Sequence, residues 1–121
     1  MGKKVILVVD DIEDVRQAIM RTLGEENFTF FEASSGELAL EVVDKHSVDL
    51  ILSDIAMPKG NGLELLEKLK DHPHPPKVIL VTGYASMFPE NPDGLKASAI
   101  IEKPYRATDL AHLVDEVLQG K

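Results

Sequence analysis

Short runs of apolar residues, each ending at a polar side chain, recur along the chain. The run at residues 5–9 leads into Asp10 and Asp11, and the run at residues 50–52 leads to Asp54. Runs of this length are typical of buried strands, and the proline and glycines after the second run indicate a loop there. We therefore expect these acids at the carboxyl ends of strands, where open α/β sheets place their chemistry.

Three further segments complete the set of predicted strands. Residues 28–31 are aromatic and β-prone, and residues 78–81 and 99–101 are apolar runs that end beside Thr82 and Lys103. Four strand ends thus carry three carboxylates, a hydroxyl and an ammonium. Such a set could bind a divalent metal and a phosphoryl group.

Apolar positions spaced three and four residues apart predict the helices between these strands. We expect Asp11 to cap the first helix and Gly24 to end it, and we expect Ser34 and Glu37 to form a capping box for the second. The apolar faces are predicted at Val15, Ala18, Ile19, Thr22 and Leu23, at Leu38, Ala39, Val42 and Val43, at Leu63, Leu65, Leu66 and Leu69, and at Leu110, Leu113, Val114, Val117 and Leu118.

The alternation of strands with helices predicts a parallel sheet with right-handed crossovers and helices on both faces. Every polar strand end then lies at the same edge of the sheet. The pattern itself leaves the spatial order of the strands open. A chain of 121 residues is long enough for one domain with a real core.

Composition narrows the class of protein. A hydrophobic content of 44% and a charged content of 28% are typical of a soluble globular protein. The net charge of −8 argues against nonspecific binding to nucleic acid or to anionic membranes. The chain has no cysteine, which excludes disulfides and zinc–thiolate sites, and residues 5–9 are too short a run for a signal peptide or a membrane helix. We expect a cytoplasmic protein.

The three acids Asp10, Asp11 and Asp54 would repel one another if their strand ends met, and a hard cation would remove that conflict. Oxygen ligands without nearby histidine or cysteine favour Mg²⁺ or Mn²⁺ over Zn²⁺. One carboxylate could then act as a nucleophile toward phosphorus. Lys103 would neutralise phosphoryl oxygens, and the Thr82 hydroxyl could donate a hydrogen bond to a further phosphoryl oxygen.

Each of these features also has a simpler interpretation. Paired acids after a strand often only cap a helix, a threonine there often serves a local turn, and a lone lysine is usually solvated. Their joint placement at four strand ends favours a common site.

The histidines are interpreted as surface residues rather than ligands: His46, His72, His74 and His112.

The motifs at the strand ends resemble those of the receiver domain of two-component response regulators, over essentially the whole chain. The resemblance rests on Val8-Val9-Asp10-Asp11, Asp54-Ile55-Ala56-Met57-Pro58 with Asn61-Gly62, Thr82-Gly83, and Lys103-Pro104-Tyr105. It implies a single receiver domain over residues 1–121 without an output domain. The implied fold is a doubly wound, flavodoxin-like α/β sheet of five parallel strands in the order 2-1-3-4-5, as in a chemotaxis regulator.

The resemblance also implies a role for each acid. Asp54 looks like the phosphoacceptor, which would receive its phosphoryl group from a sensor histidine kinase or a phosphotransfer protein. Asp11 and Asp54 would ligate Mg²⁺, or Mn²⁺ in its place, together with the backbone carbonyl of Ala56, and Asp10 would act through water. Such a protein would catalyse only its own phosphorylation and dephosphorylation.

For the remaining motif residues, the resemblance implies that Thr82 closes on the phosphoryl group and that Lys103 pairs with it. The bond between Lys103 and Pro104 is a candidate cis peptide. Ile100 stands where many receivers carry Tyr or Phe. Within residues 83–97, Pro89, Pro92 and Gly94 stand where the family has its fourth helix, which indicates an irregular or shortened helix.

The expected partners follow from the same resemblance. An unknown downstream protein would bind the face formed by residues 83–97 with the last strand and helix, and this face could also form a homodimer. Direct binding to nucleic acid or membrane is not expected. Two alternatives are a metal-dependent phosphatase, which Ala56 argues against because haloacid-dehalogenase-like enzymes place an acid there, and a degenerate receiver that binds partners without phosphorylation.

Overall fold

Strands and helices alternate as predicted in a computed structural model that describes residues 3–54, 62–82 and 98–120. The strands are β1 (Lys4–Val9), β2 (Phe28–Ala33), β3 (Leu50–Asp54), β4 (Lys77–Thr82) and β5 (Ala99–Glu102). The helices are α1 (Glu13–Leu23), α2 (Gly36–Lys45), α3 (Gly62–Leu69) and α4 (Ala107–Leu118). The irregular helix expected between β4 and β5 falls on residues 83–97, which lie outside the described residues.

The five strands form one parallel sheet in the order β2-β1-β3-β4-β5, which confirms the flavodoxin-like fold. The register places the carboxyl ends of neighbouring central strands within one residue of each other. Val9 lies beside Ser53, and Asp54 lies beside Val81. The polar residues that follow these runs therefore meet at one edge of the sheet.

Both faces of the sheet are covered, which explains why the central strands read as continuous apolar runs rather than alternating ones. Helices α2 and α3 cover one face, where the buried core is Leu7, Val9, Ala33, Ala39, Val43, Ile51, Leu65, Leu69, Val78 and Leu80. Helices α1 and α4 cover the other, where the core is Ile6, Val8, Ile19, Met20, Leu23, Leu50, Leu52, Ile79, Leu110, Val114 and Val117.

Helix α1 differs from its prediction at its start and in its buried face. Its N-cap is Ile12, without a side-chain cap, so the prediction that Asp11 caps this helix is wrong. The buried side chains are Ile19, Met20 and Leu23, whereas Ala18 and Thr22 are exposed. The helix is thus rotated relative to the face expected from the apolar residues. Gly24 ends it with φ 91°, as predicted.

Helix α2 begins one residue later than predicted. Ser35 is the N-cap, and its hydroxyl accepts a hydrogen bond from the Leu38 N–H at 3.2 Å, so the assignment of the cap to Ser34 is wrong. Because Ser34 and Ser35 are adjacent, the sequence alone does not decide which of them is the N-cap. The expected faces of α2 and α4 are confirmed at Ala39 and Val43 and at Leu110, Val114 and Val117, but the prediction is wrong at Leu38, which is exposed.

No helix among the described residues is both long enough and apolar enough to cross a membrane.

Candidate metal centre at the sheet edge

Asp10 is the buried acid of the site, with 3% of its surface exposed. It follows β1 and keeps that strand's pairing, because its N–H donates to the Ala33 carbonyl at 3.1 Å. Its Oδ1 accepts a hydrogen bond from the Ile12 N–H at 2.9 Å. The carboxylate therefore turns back onto the residue that precedes α1, where it closes a local turn without capping the helix.

Asp10, Asp11 and Asp54 come together at the sheet edge. Each offers one carboxylate oxygen, and the three oxygens lie within 4.8 Å of one another. Asp11 is exposed, and Asp54 is partly buried. Oxygens on opposite sides of a Mg²⁺ ion lie about 4 Å apart, since each ligand sits at 2.0–2.1 Å. The all-oxygen donor set therefore suits a magnesium ion, and the three acids are close enough to share one if a ligand acts through water. Among the described residues, no other group of acids and histidines is placed to share an ion in this way.

The electrostatics of the site are unfavourable when no cation is bound. Burial raises the pKa of Asp10, and the negative charges of Asp54 and Asp11 add to that effect. The hydrogen bond from the Ile12 N–H and the charge of Lys103 lower this pKa but do not offset the burial. A divalent cation would stabilise the ionised form of all three acids.

Lys103 completes the described part of the site. Its Nζ donates a hydrogen bond to Asp54 Oδ2 at 3.4 Å, with 37% of the lysine side chain and 15% of the aspartate side chain exposed. The peptide between Lys103 and Pro104 is cis, as predicted. Tyr105 packs against the core beneath α1 and α4, and burial raises the pKa of its hydroxyl.

The roles predicted for the Thr82 hydroxyl and the Ala56 carbonyl stay predictions. Thr82 is the last residue of β4 and pairs with Glu102 of β5, which puts its backbone at the same edge as the acids. Its side chain lies outside the described part of the structure. Ala56 belongs to residues 55–61, which also lie outside it.

Arg16 and Glu32 belong to the surroundings of the site, and the sequence reasoning missed them. Arg16 Nη1 donates to the Asp10 carbonyl at 2.6 Å, and its Nε donates to Glu32 Oε1 at 2.9 Å. A signal was present in the sequence. Arg16 begins the series 16, 19, 20 and 23, which is the buried stripe of α1.

The histidines lie away from this edge of the sheet. His46 stacks on Phe31 with ring centroids 4.3 Å apart, and His72 Nε2 lies 3.9 Å from Asp44 Oδ1. Together with His74, these residues line a separate surface pocket. None of them joins the three acids, in agreement with their interpretation as surface residues.

Comparison with known protein families gives a match over most of the chain. The family model described as the response regulator receiver domain matches residues 6–115. The matched region includes all three acids and Lys103.

Two curated relatives match over nearly the full chain. Sensor kinase CckA of Brucella abortus is 36% identical over 98% of this chain, which spans 13% of the relative. Sporulation initiation phosphotransferase F of Bacillus subtilis is 30% identical over 100% of this chain and 98% of the relative. The chain thus corresponds to a small part of the first relative and to nearly all of the second.

A solved structure shows the same fold. Response regulator protein TrrA of Thermotoga maritima, determined in complex with Mg²⁺ and BeF, is 30% identical with a TM-score of 0.83, covering 94% of this chain and 98% of that one. Strand order and helix placement here agree with the family match.

Proposed function

Because this chain belongs to the response regulator receiver domain family, we propose that it is a phosphoacceptor of a two-component phosphorelay. It takes a phosphoryl group from a sensor histidine kinase or a phosphotransfer protein onto Asp54. The observation that carries this proposal is the convergence of three carboxylates with Lys103, whose Nζ lies 3.4 Å from Asp54 Oδ2. The similarity to a sporulation phosphotransferase over 98% of that protein's length supports a role in phosphoryl transfer.

In the proposed reaction a carboxylate oxygen of Asp54 attacks the phosphorus of a phosphohistidine. A P–O bond forms as the P–N bond breaks, and the bonding electron pair leaves with the imidazole nitrogen. Lys103 lies where it can shift from the carboxylate to the transferred group and neutralise its charge. Thr82 would donate its hydroxyl to another phosphoryl oxygen, a role that the family resemblance supplies.

The residues that would hold Mg²⁺ are Asp11 and Asp54 directly, Asp10 through water, and Ala56 through its carbonyl. The spacing of the three acids and the all-oxygen donor set support this assignment, and Mn²⁺ would fit the same ligands. When bound, the ion supplies neutralising charge for the acids and for the phosphoryl oxygens. The chain's own contribution is to hold the buried Asp10 close to Asp11 and Asp54, which would ligate the ion.

We also propose that phosphorylation changes the binding of a downstream protein. The surface concerned is formed by residues 83–97 together with β5 and α4. In this role the protein acts on itself only and turns over no external substrate. The net charge of −8 supports a protein partner rather than nucleic acid.

Incubation with acetyl phosphate and Mg²⁺, followed by intact mass measurement, tests the proposal. We expect a single phosphoryl adduct in the wild type and none in Asp54→Asn or in the presence of EDTA. Continuous release of phosphate without an adduct would indicate a phosphatase instead. The absence of both adduct and turnover would indicate a receiver that works without phosphorylation.

A further inference from the structure

Arg16 links the end of β1 to the neighbouring strand β2. Its side chain is only 14% exposed, and it makes two directed contacts. Nη1 donates to the carbonyl of Asp10 at 2.6 Å, and Nε donates to Oε1 of Glu32 on β2 at 2.9 Å. Gln17 adds a longer hydrogen bond to the same Glu32 oxygen at 3.5 Å.

The carbonyl that Arg16 holds belongs to the peptide unit joining Asp10 to Asp11. Because a peptide unit is planar, fixing its carbonyl direction also fixes the direction in which the chain leaves toward Asp11. Asp10 is held at two further points, by its N–H to Ala33 and by its side chain to the Ile12 N–H. Arg16 thus supplies the contact that sets Asp11 relative to Asp10.

Because Arg16 is paired with Glu32, its contact with the Asp10 carbonyl acts through the direction of the hydrogen bond and not through net charge. The Glu32 carboxylate balances the guanidinium, so the pair adds little net charge beside the acids. An arginine can hold two acceptors in fixed directions because its donors form a rigid planar fork, whereas the donors of a lysine ammonium are compact and rotatable.

We propose that Arg16, held by Glu32, is a positioning residue for the metal site, which sets the geometry of Asp10 and Asp11 for binding a divalent cation. The inference rests on the proposed function in that Mg²⁺ is taken as the ion. Groups that orient metal ligands contribute to affinity without touching the ion, and their loss typically weakens binding 10- to 100-fold.

Calorimetric titration with Mg²⁺ tests this without any phosphoryl chemistry. We expect Arg16→Met to raise the Kd for Mg²⁺ about tenfold, and Arg16→Lys to raise it by a smaller factor, since lysine keeps the charge and its donors but loses the rigid fork. The matched control is Arg21→Met, which makes the same change at an exposed position on the same helix. Its Kd should equal that of the wild type. An unchanged Kd in Arg16→Met would overturn the inference.

The rate of labelling by acetyl phosphate at increasing Mg²⁺ gives a second readout, which a purely structural defect would not reproduce. In Arg16→Met the Mg²⁺ concentration for half-maximal rate should rise by the same factor as the Kd, while the rate at saturating Mg²⁺ recovers to within about twofold of wild type. A lower maximal rate with an unchanged half-saturating concentration would overturn the inference.

Circular dichroism and thermal melting without metal establish that each variant is folded. If Arg16→Met does not fold, Arg16→Lys decides, and a Kd equal to that of the wild type would overturn the inference. The two proposals fail separately. A wild type that binds Mg²⁺ but takes up no phosphoryl group would refute the proposed function, and calorimetry would still decide the role of Arg16.

Discussion

Lys103 Nζ donates a hydrogen bond to Asp54 Oδ2 although the two residues lie 49 positions apart and follow strands that do not pair with each other. Strand β4 lies between β3 and β5, and its register sets Asp54 beside Val81 and Glu102 beside Thr82. The lysine reaches the acid because the two strands end within one residue of the same level. This contact brings Lys103, which follows β5, to the acids at the ends of β1 and β3.

Replacing Lys103 by methionine should slow labelling by acetyl phosphate strongly while changing stability little. A donor aimed at charge that develops during the reaction can contribute about 100-fold in rate. The free energy of unfolding without metal should fall by less than about 1 kcal/mol, because the pair is partly exposed and such pairs contribute little. Labelling kinetics and urea unfolding measure the two effects.

Lys68→Met is the matched control for that experiment, since Lys68 is an exposed residue of α3. It should label at the wild-type rate. Equal slowing in both variants would show that general loss of positive charge, and not the contact with Asp54, lowers the rate.

Replacing Asp54 by asparagine should abolish labelling and leave the metal-free protein at least as stable as the wild type. The change removes one of three crowded negative charges and keeps the size of the side chain. Asparagine also retains an oxygen that can accept from Lys103. Intact mass and urea unfolding in EDTA measure these results, and a full adduct in this variant would contradict the assignment of the phosphoacceptor.

Because of Asp10, the free energy of unfolding of the metal-free protein should fall as pH rises. Its pKa in the folded protein is raised above the ordinary value of 3.8, so the folded state holds this proton more tightly than the unfolded state does. The free energy of unfolding therefore falls as pH rises from 3.8 through the raised pKa, and this loss is complete above it.

The variant Asp10→Asn isolates this effect, because asparagine cannot ionise but can still accept from the Ile12 N–H. Relative to the wild type, it should gain stability as pH rises and level off above the folded-state pKa. Urea unfolding in EDTA from about pH 3.5 to pH 8 measures the difference. A difference independent of pH would contradict the burial of Asp10 as the cause.

Adding Mg²⁺ should stabilise the wild type by roughly 1–3 kcal/mol when its concentration exceeds Kd about ten- to hundredfold. Asp11→Ala should gain much less, because Asp11 supplies one of the three converging oxygens. Asp71→Ala, at an exposed position after α3, should gain as much as the wild type. Melting temperatures across a Mg²⁺ titration measure this, and an unchanged melting temperature of the wild type would count against the site.

The sequence predicted that Asp10, Asp11, Asp54 and Lys103 lie along one edge of the sheet, because that depends only on the strands being parallel, whereas their closeness along the edge depends on the strand order. Parallel strands bring their carboxyl ends to one edge wherever they lie in the sheet. The order of the strands could not come from hydrophobic pattern, since each central strand is an uninterrupted apolar run that fits any interior position. It came from the family resemblance.

The sequence could not predict the start of α1, because its N-cap is the apolar Ile12 and no side chain caps the helix. In the structure the buried Asp10 takes the Ile12 N–H, and Asp11 faces outward. On α1 the Arg16 side chain is only 14% exposed, whereas Ala18 is exposed. A pattern of apolar residues alone assigns an arginine to solvent and so misses this role.

Ile100 marks the position where the chain departs from the receivers that carry an aromatic ring there. It lies beside Leu80 in the sheet and packs, partly buried, against the core beneath α2 and α3. A β-branched side chain is stiff at χ1 and holds one rotamer in such a contact. We therefore expect Ile100 to keep its position when the protein is phosphorylated, unlike a ring that moves between buried and exposed positions.

The response to phosphorylation should instead be concentrated in residues 83–97, which directly follow Thr82 and whose prolines and glycine disfavour a regular helix. A ligand shifts a protein between states only through contacts that differ between them, and Thr82 is the residue that would gain a contact with the phosphoryl group. Hydrogen exchange with and without Mg²⁺ and beryllofluoride measures this, with Asp54→Asn as the control that should show no change. Altered exchange in β5 and α4 with unchanged exchange in residues 83–97 would contradict the prediction.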